Sequence, residues 1–122
     1  VFIDLDKFKL INDTFGHHEG DSALIHFTNL LRKELRDSDL FARIGGDEFT
    51  LLLSNSSKDK AAAFMIRFSN ILKKYNVEIN FKYTLSFSYG IVEFNAEQHG
   101  SVKKLISSGD SLMYDVKKLR TL

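Results

Sequence analysis

Cysteine and proline are absent from the 122 residues, and glycine occurs only seven times. Without cysteine there is no disulfide framework and no thiolate metal site, which fits a cytosolic protein. Without proline, and with no Gly/Ser-rich stretch, repeat or low-complexity tract, nothing marks a linker, so residues 1–122 read as one domain. No apolar run approaches the roughly 18 residues of a membrane helix, and no signal-peptide pattern opens the chain. A large charge of one sign is missing too. Seventeen Lys and Arg stand against sixteen Asp and Glu, leaving a formal charge of +1. Bulk charge therefore suggests no nucleic-acid partner, and any anion site must be local. The chain opens on Val1, inside a stretch that already reads as strand. It is expected to be an excerpt of a longer protein, and any sensor or membrane segment would lie outside residues 1–122. What is present, 43% hydrophobic and 27% charged residues, is ordinary for a soluble domain with a single core.

Along the chain, "VFIDLD" reads as a short apolar strand ending in acids. "DKFKLINDTFG" follows with Phe8, Ile11 and Phe15 at helical spacing and Gly16 placed to stop it. "GDSALIHFTNLLRKELR" predicts a second helix with Leu24, Phe27, Leu31 and Leu35 in one stripe and Asp21 or Ser22 as N-cap. "DLFARIG" and "DEFTLLLS" predict two strands joined at Gly45-Gly46, a turn that needs positive φ. "NSSKDKAAAFMIRFSNILKKY" predicts a capped third helix, and "INFKYTLSFSYGIVEF" one long strand or two pieces. "SVKKLISSGDSLMYDVKKL" predicts a last helix with Leu105, Leu112, Met113 and Val116 facing inward. The order β-α-α-β-β-α-β-α argues for an α+β fold: a mostly antiparallel central sheet flanked by helices, in a ferredoxin-like or polymerase-palm arrangement.

The acids carry the chemistry. Asp4 and Asp6 share strand parity, while the adjacent Asp47 and Glu48 point to opposite sides of an extended chain. If the first strand neighbours the hairpin, Asp4 and one hairpin acid converge. Two carboxylates and a backbone carbonyl make a hard-oxygen site suited to Mg²⁺. Such an ion usually shares its shell with substrate phosphates, the geometry of phosphoryl or nucleotidyl transfer. The glycines supply positive φ and let a ligand approach the backbone closely. A solvated turn with acids beside it would read the same way, and a strand-end Asp also serves as a helix cap. Lys9 sits where strand gives way to helix, so its ammonium and the local N–H groups could meet a phosphate, or it is a surface lysine. Asn12 and Asp21 together suit a guanine edge, or are turn and cap residues. His17 and His18 could be ligands, but adjacent histidines cannot share a helical face and usually read as loop. Arg36 and Asp39 form an R-x-x-D pair between helix and strand, which is also what a helix C-terminus followed by a turn acid looks like. Lys117, Lys118 and Arg120 form a basic end, by default a solvated helix face and alternatively a phosphate contact.

"VFIDLDKFKLINDTFGHHEGD" followed at the right separation by "RIGGDEF" resembles the GGDEF-domain family of bacterial diguanylate cyclases. "SYG" and "GDSLMYDVKK" add weaker matches, so the resemblance covers nearly the whole chain. It implies that two GTP molecules are joined into cyclic di-GMP, each subunit of a homodimer presenting one. It implies that Asp4, Asp47 and the carbonyl of Leu5 bind Mg²⁺ or Mn²⁺, and that Asp47 or Glu48 helps deprotonate the ribose 3′-hydroxyl. Lys9 would contact phosphate and stabilise transition-state charge. Asn12 and Asp21 would read guanine with His17 nearby, Gly45 and Gly46 would let the hairpin run beside the nucleotide, and Lys117 would meet a phosphate. Arg36 and Asp39 match a product-inhibition site for cyclic di-GMP. An upstream sensor domain and a cytoplasmic location, free or beneath a membrane anchor, are implied as well.

Two departures stand out. The family usually begins earlier, with a helix and a "D-x-L-T-G-L-x-N-R" stretch, so residues 1–122 read as a single GGDEF domain lacking that segment. Its last helix usually runs "A-K-x-x-G-R-N", whereas "VKKLRTL" keeps Lys117 but has Arg120 and Thr121 where Gly and Arg are expected. That change motivates an alternative, a catalytically degenerate domain that binds GTP or cyclic di-GMP as a regulatory module. A third reading is an interaction module whose acids are only surface residues.

Overall fold

The computed structural model describes residues 1–79, 82–94, 107 and 109. Its elements are β1 (Phe2–Leu5), α1 (Phe8–Phe15), α2 (His17–Glu34), β2 (Leu40–Gly45), β3 (Glu48–Leu52), α3 (Lys58–Ile79) and β4 (Phe87–Gly90). The strands form one sheet in the order β2-β3-β1-β4, and every pairing is antiparallel. The α+β class and the antiparallel sheet expected from the sequence are what the chain adopts. The expected last helix, with Leu105, Leu112, Met113, Val116 and Lys117, lies outside the described residues apart from Ser107 and Gly109, which are helical.

All four residues of β1 are buried because the strand is central and both its faces are used. Ile3 and Leu5 share one face with Phe49 and Leu51 of β3 and join Phe27 and Leu31 of α2 and Met65, Phe68 and Leu72 of α3 in the main core. Phe27 is its hub, with ring centroids 5.5 Å from Phe49, 5.6 Å from Phe68 and 5.7 Å from Phe87. The opposite face carries Phe2 and Asp4. A Cβ added at Gly109 would run into the Phe2 ring, so this second face is also packed at that point.

Four local expectations are corrected. Helix α2 starts at His17, not near Gly20, and its N-cap is Gly16 rather than Asp21 or Ser22. Gly16 (φ 93, ψ 163) is the single residue between α1 and α2, a backbone state suited to glycine. Gly20 looks like a breaker but is buried inside the helix, because a Cβ there would collide with the Asn12 amide. The hairpin turn is Gly46-Asp47: Gly45 still belongs to β2 and pairs with Glu48. Gly46 has φ 48, and Asp47 has no positive φ, a sign pattern of the II′ kind. Helix α3 runs four residues past Tyr75, and β4 is only four residues long. The last two are linked. Asn76, in the added turn of α3, donates to the Leu85 carbonyl (2.7 Å) and accepts from the Leu85 N–H (3.0 Å), so this backbone bonds a side chain instead of a ladder.

Candidate nucleotide and metal site

Register decides which acids meet. Asp4 pairs with Glu48 of β3 on one side and with Ser88 of β4 on the other, so these three side chains share a row and a face of the sheet. Asp4 is 4% exposed, while Glu48 is exposed. Asp47 is half-buried in the turn, and its carbonyl accepts the Leu5 N–H at 3.1 Å. The Arg43 Nε donates to the Gly46 carbonyl at 2.8 Å and braces the same turn, beside a one-residue slip in the ladder between Arg43 and Gly45. The sequence parity of Asp4 against both hairpin acids thus resolves: Glu48 lies directly across from Asp4, and Asp47 lies beside Leu5. A Cβ at Gly45 or Gly46 would meet open space, so the surface along the hairpin tip is clear.

Where β1 ends, Asp6 and Lys7 form a turn into α1. Lys7 has left-handed backbone (φ 55, ψ 28) and is the N-cap of α1, with no side-chain cap bond and no acid in the first turn. The amides of that turn and the exposed Lys9 therefore present positive charge near the C-terminal end of β1. The Asp6 carboxylate is turned sideways, accepting from Ser86 Oγ (2.8 Å) and Ser88 Oγ (2.6 Å). Ser86 stands in no sequence pattern and Ser88 only at the head of "SYG", since their use depends on β4 lying next to β1.

The donor set fits Mg²⁺ or Mn²⁺. Asp4, the hairpin acids and the Leu5 carbonyl are all hard oxygens. No three His, Asp or Glu side chains converge into a metal cage among the described residues. An ion held by this set would complete its shell with oxygens from water or phosphate.

The guanine candidates lie at the α1–α2 corner. Asn12, half-buried on α1, packs against Gly20, and Asp21 is the next, exposed residue of α2. His17 is the exposed first residue of that helix, four before Asp21 and so on the same helical side. Tyr83 steadies this corner, donating to the Glu19 carbonyl at 3.1 Å and stacking at a tilt on Phe15.

Arg36 and Asp39 are bound to each other. Arg36 donates Nη2 (3.1 Å), Nε (3.3 Å) and its own N–H (2.9 Å) to the Asp39 carboxylate, and Ser54 N–H adds a fourth donor at 3.3 Å. Burial raises the Asp39 pKa, but the hydrogen bonds and charge of Arg36 outweigh it and hold the carboxyl below its usual value. The Asp39 side chain is 2% exposed and that of Arg36 57%. Asp39 thus spends its oxygens on positioning, and the more exposed Arg36 is itself tied down, its Nη2 also donating to the Ser54 carbonyl (2.6 Å) and to Ser56 Oγ (3.3 Å). A cavity of about 340 Å³ joins this pair to Lys60 and Arg67 of α3, cations that sequence reasoning did not connect with it. They lie two dozen and more residues downstream, and no local pattern marks them.

A "Diguanylate cyclase, GGDEF domain" family match covers residues 1–121. "Probable diguanylate cyclase DgcC" of Escherichia coli is 36% identical over 118 residues, 97% of this chain and 32% of that protein. "Diguanylate cyclase A" of Treponema denticola is 31% identical over 119 residues, again 32% of its length. The chain thus spans about a third of these curated relatives. Among solved structures, the GGDEF domain of PA1120 from Pseudomonas aeruginosa superposes with a TM-score of 0.77 at 34% identity, covering 97% of this chain and 74% of that one. The GGDEF domain of DgcB from Caulobacter crescentus, solved in complex with c-di-GMP, reaches 0.84 at 21% identity, over 96% of this chain and 70% of that one, and bears on the fold alone. Motif, structural likeness and relatives agree, and the chain belongs to the diguanylate cyclase GGDEF domain family.

Proposed function

We propose that the chain is the catalytic domain of a diguanylate cyclase, which condenses two GTP into cyclic di-GMP across a homodimer. The observation that carries this reading is the register: Asp4 stands opposite Glu48, and the Asp47 carbonyl is bonded to the Leu5 N–H, next to the uncapped start of α1. Carboxylates for a metal and amides for a phosphate therefore sit at one corner of the sheet.

The residues divide the work as follows. Asp4, Asp47 and the Leu5 carbonyl would hold Mg²⁺ or Mn²⁺. An ion held there would supply positive charge to the attacking and leaving oxygens. Lys9 and the first-turn amides of α1 hold the phosphates and meet charge that grows in the transition state. Asn12 and Asp21, with His17, orient guanine. Asp47 or Glu48 takes the proton of the ribose 3′-hydroxyl, the 3′-oxygen bonds to the α-phosphorus of the GTP on the facing subunit, and pyrophosphate leaves. The same step in the other direction closes the ring. Gly45 and Gly46 leave room for the nucleotide along the hairpin, and Lys117 reaches a phosphate. Cyclic di-GMP inhibits at Arg36, whose guanidinium is held by Asp39, Ser54 and Ser56 in the wall of the cavity shared with Lys60 and Arg67. Acting on GTP, the domain would work in the cytoplasm, under the control of a sensor domain.

Incubation with GTP and Mg²⁺, followed by chromatography, tests the reading. Cyclic di-GMP should form with metal and not with EDTA. Replacing both Asp47 and Glu48 by Ala should abolish product while the fold persists, because neither side chain belongs to the hydrophobic core. Product from that variant would show the assignment of the acids to be wrong. Nucleotide binding without turnover at high protein concentration would favour the degenerate domain that the Arg120 and Thr121 departures suggest.

A further inference from the structure

Asp6 is two residues beyond Asp4 on the same side of the chain, yet it faces β4. Its two oxygens accept one serine hydroxyl each, and its N–H donates to the Ser86 carbonyl at 2.9 Å. Ser88 is also the residue paired with Asp4. On one side of Asp6, the Leu5 N–H is bonded to the hairpin turn. On the other, Lys7 takes left-handed backbone, which L side chains seldom adopt, and its carbonyl accepts the Ile11 N–H of α1 at 3.0 Å. The serines are themselves fixed, because Asn76 of α3 clamps Leu85 through both backbone groups. A run of bonds thus leads from α3 through Leu85 and the serines to the junction of β1 and α1. A carboxylate suits that junction, since it accepts two hydroxyls at once through short charge-assisted bonds.

We propose that Asp6 is a positioning residue of the nucleotide site. It locks the β1–α1 turn to β4, so that the Leu5 carbonyl and the first-turn amides of α1 keep the geometry that metal and phosphate require. This rests on the reading of the site given above. Its test has two arms that fail separately.

The first arm is amide hydrogen exchange on the unliganded chain, comparing Asp6→Ala with the paired Ser86→Ala and Ser88→Ala variant. Exchange at Leu5, Asp6 and Ile11 should quicken about tenfold in both, while Leu31 and Phe68 stay within about twofold. Adding Asp6→Ala to the serine pair should quicken it no further. Unchanged exchange at these three amides, or fully additive effects, would overturn the lock. The second arm is turnover against Mg²⁺. Half-maximal rate should require about tenfold more Mg²⁺ in Asp6→Ala, as for other outer-shell partners, with kcat at saturating metal nearly kept. A collapse of kcat with an unchanged Mg²⁺ requirement would make Asp6 a catalytic group and overturn the positioning role. If the parent chain turns over no GTP, the cyclase reading fails, and exchange alone decides the lock.

Discussion

The two hairpin glycines look alike in sequence and differ in the structure. Gly46 needs positive φ (48), whereas Gly45 does not, and neither meets a neighbour where a Cβ would go. Gly46→Ala should cost about 1–2 kcal/mol in urea denaturation, the penalty of left-handed backbone for an L residue. Gly45→Ala should leave stability within about 0.5 kcal/mol. If the hairpin lies along a nucleotide, Gly45→Ala should nonetheless weaken GTP binding in a calorimetric titration, and an unchanged affinity would rule out the close approach. Asp39 gives a prediction in pH. Its folded pKa is depressed, so the stability it contributes is fully present above the unfolded value of about 3.9 and is lost as pH falls through the lower folded value. The gap in Tm between the parent chain and Asp39→Ala should be open at pH 7 and should close in strong acid. A gap that persists there would mean that packing, not charge, accounts for it.

Among the elements, the α1–α2 corner is the informative one. Alanine at an interior helix position normally stabilises by about 1 kcal/mol relative to glycine. At Gly20 the sign should reverse, because the new methyl displaces the Asn12 amide. Gly20→Ala should lower Tm and weaken GTP binding, while Asn12→Ala in the same chain recovers stability without recovering affinity. A stabilised Gly20→Ala variant would show that Asn12 yields freely and is not held for guanine. The corner also shows why element boundaries were hard to read. "HHEG" has no apolar period and ends in glycine, so it reads as loop. It is helical because Gly16 turns the chain in one residue and Asn12 occupies the space over Gly20. Likewise "INFKYTLSFSYGIVEF" has strand composition throughout, but Asn76 takes the backbone bonds of Leu85 and confines β4 to Phe87–Gly90. By contrast Leu24, Phe27 and Leu31 were legible as a buried stripe, since helical period is a local property.

On the scale of the molecule, the proposed reaction joins two GTP, one presented by each of two chains. Specific activity should therefore rise with protein concentration at low concentration and level off once dimers dominate. A specific activity independent of concentration over a hundredfold dilution would contradict condensation across a dimer. The core that carries the site depends on Phe27, whose replacement by alanine should cost about 3–5 kcal/mol and remove activity through loss of fold.

The amino-acid sequence by itself determined the α+β class, the order of elements through β4 and the motifs that name the family. Those follow from periodicity and spacing, which each segment carries without its neighbours. Tertiary structure alone decided that Glu48 faces Asp4, that Asp47 bonds beside Leu5, that Asp6 turns to Ser86 and Ser88, and that Lys60 and Arg67 join Arg36. Each of these depends on cross-strand register or helix placement. A one-residue slip would exchange the faces of a strand and undo the pairing without altering any local pattern.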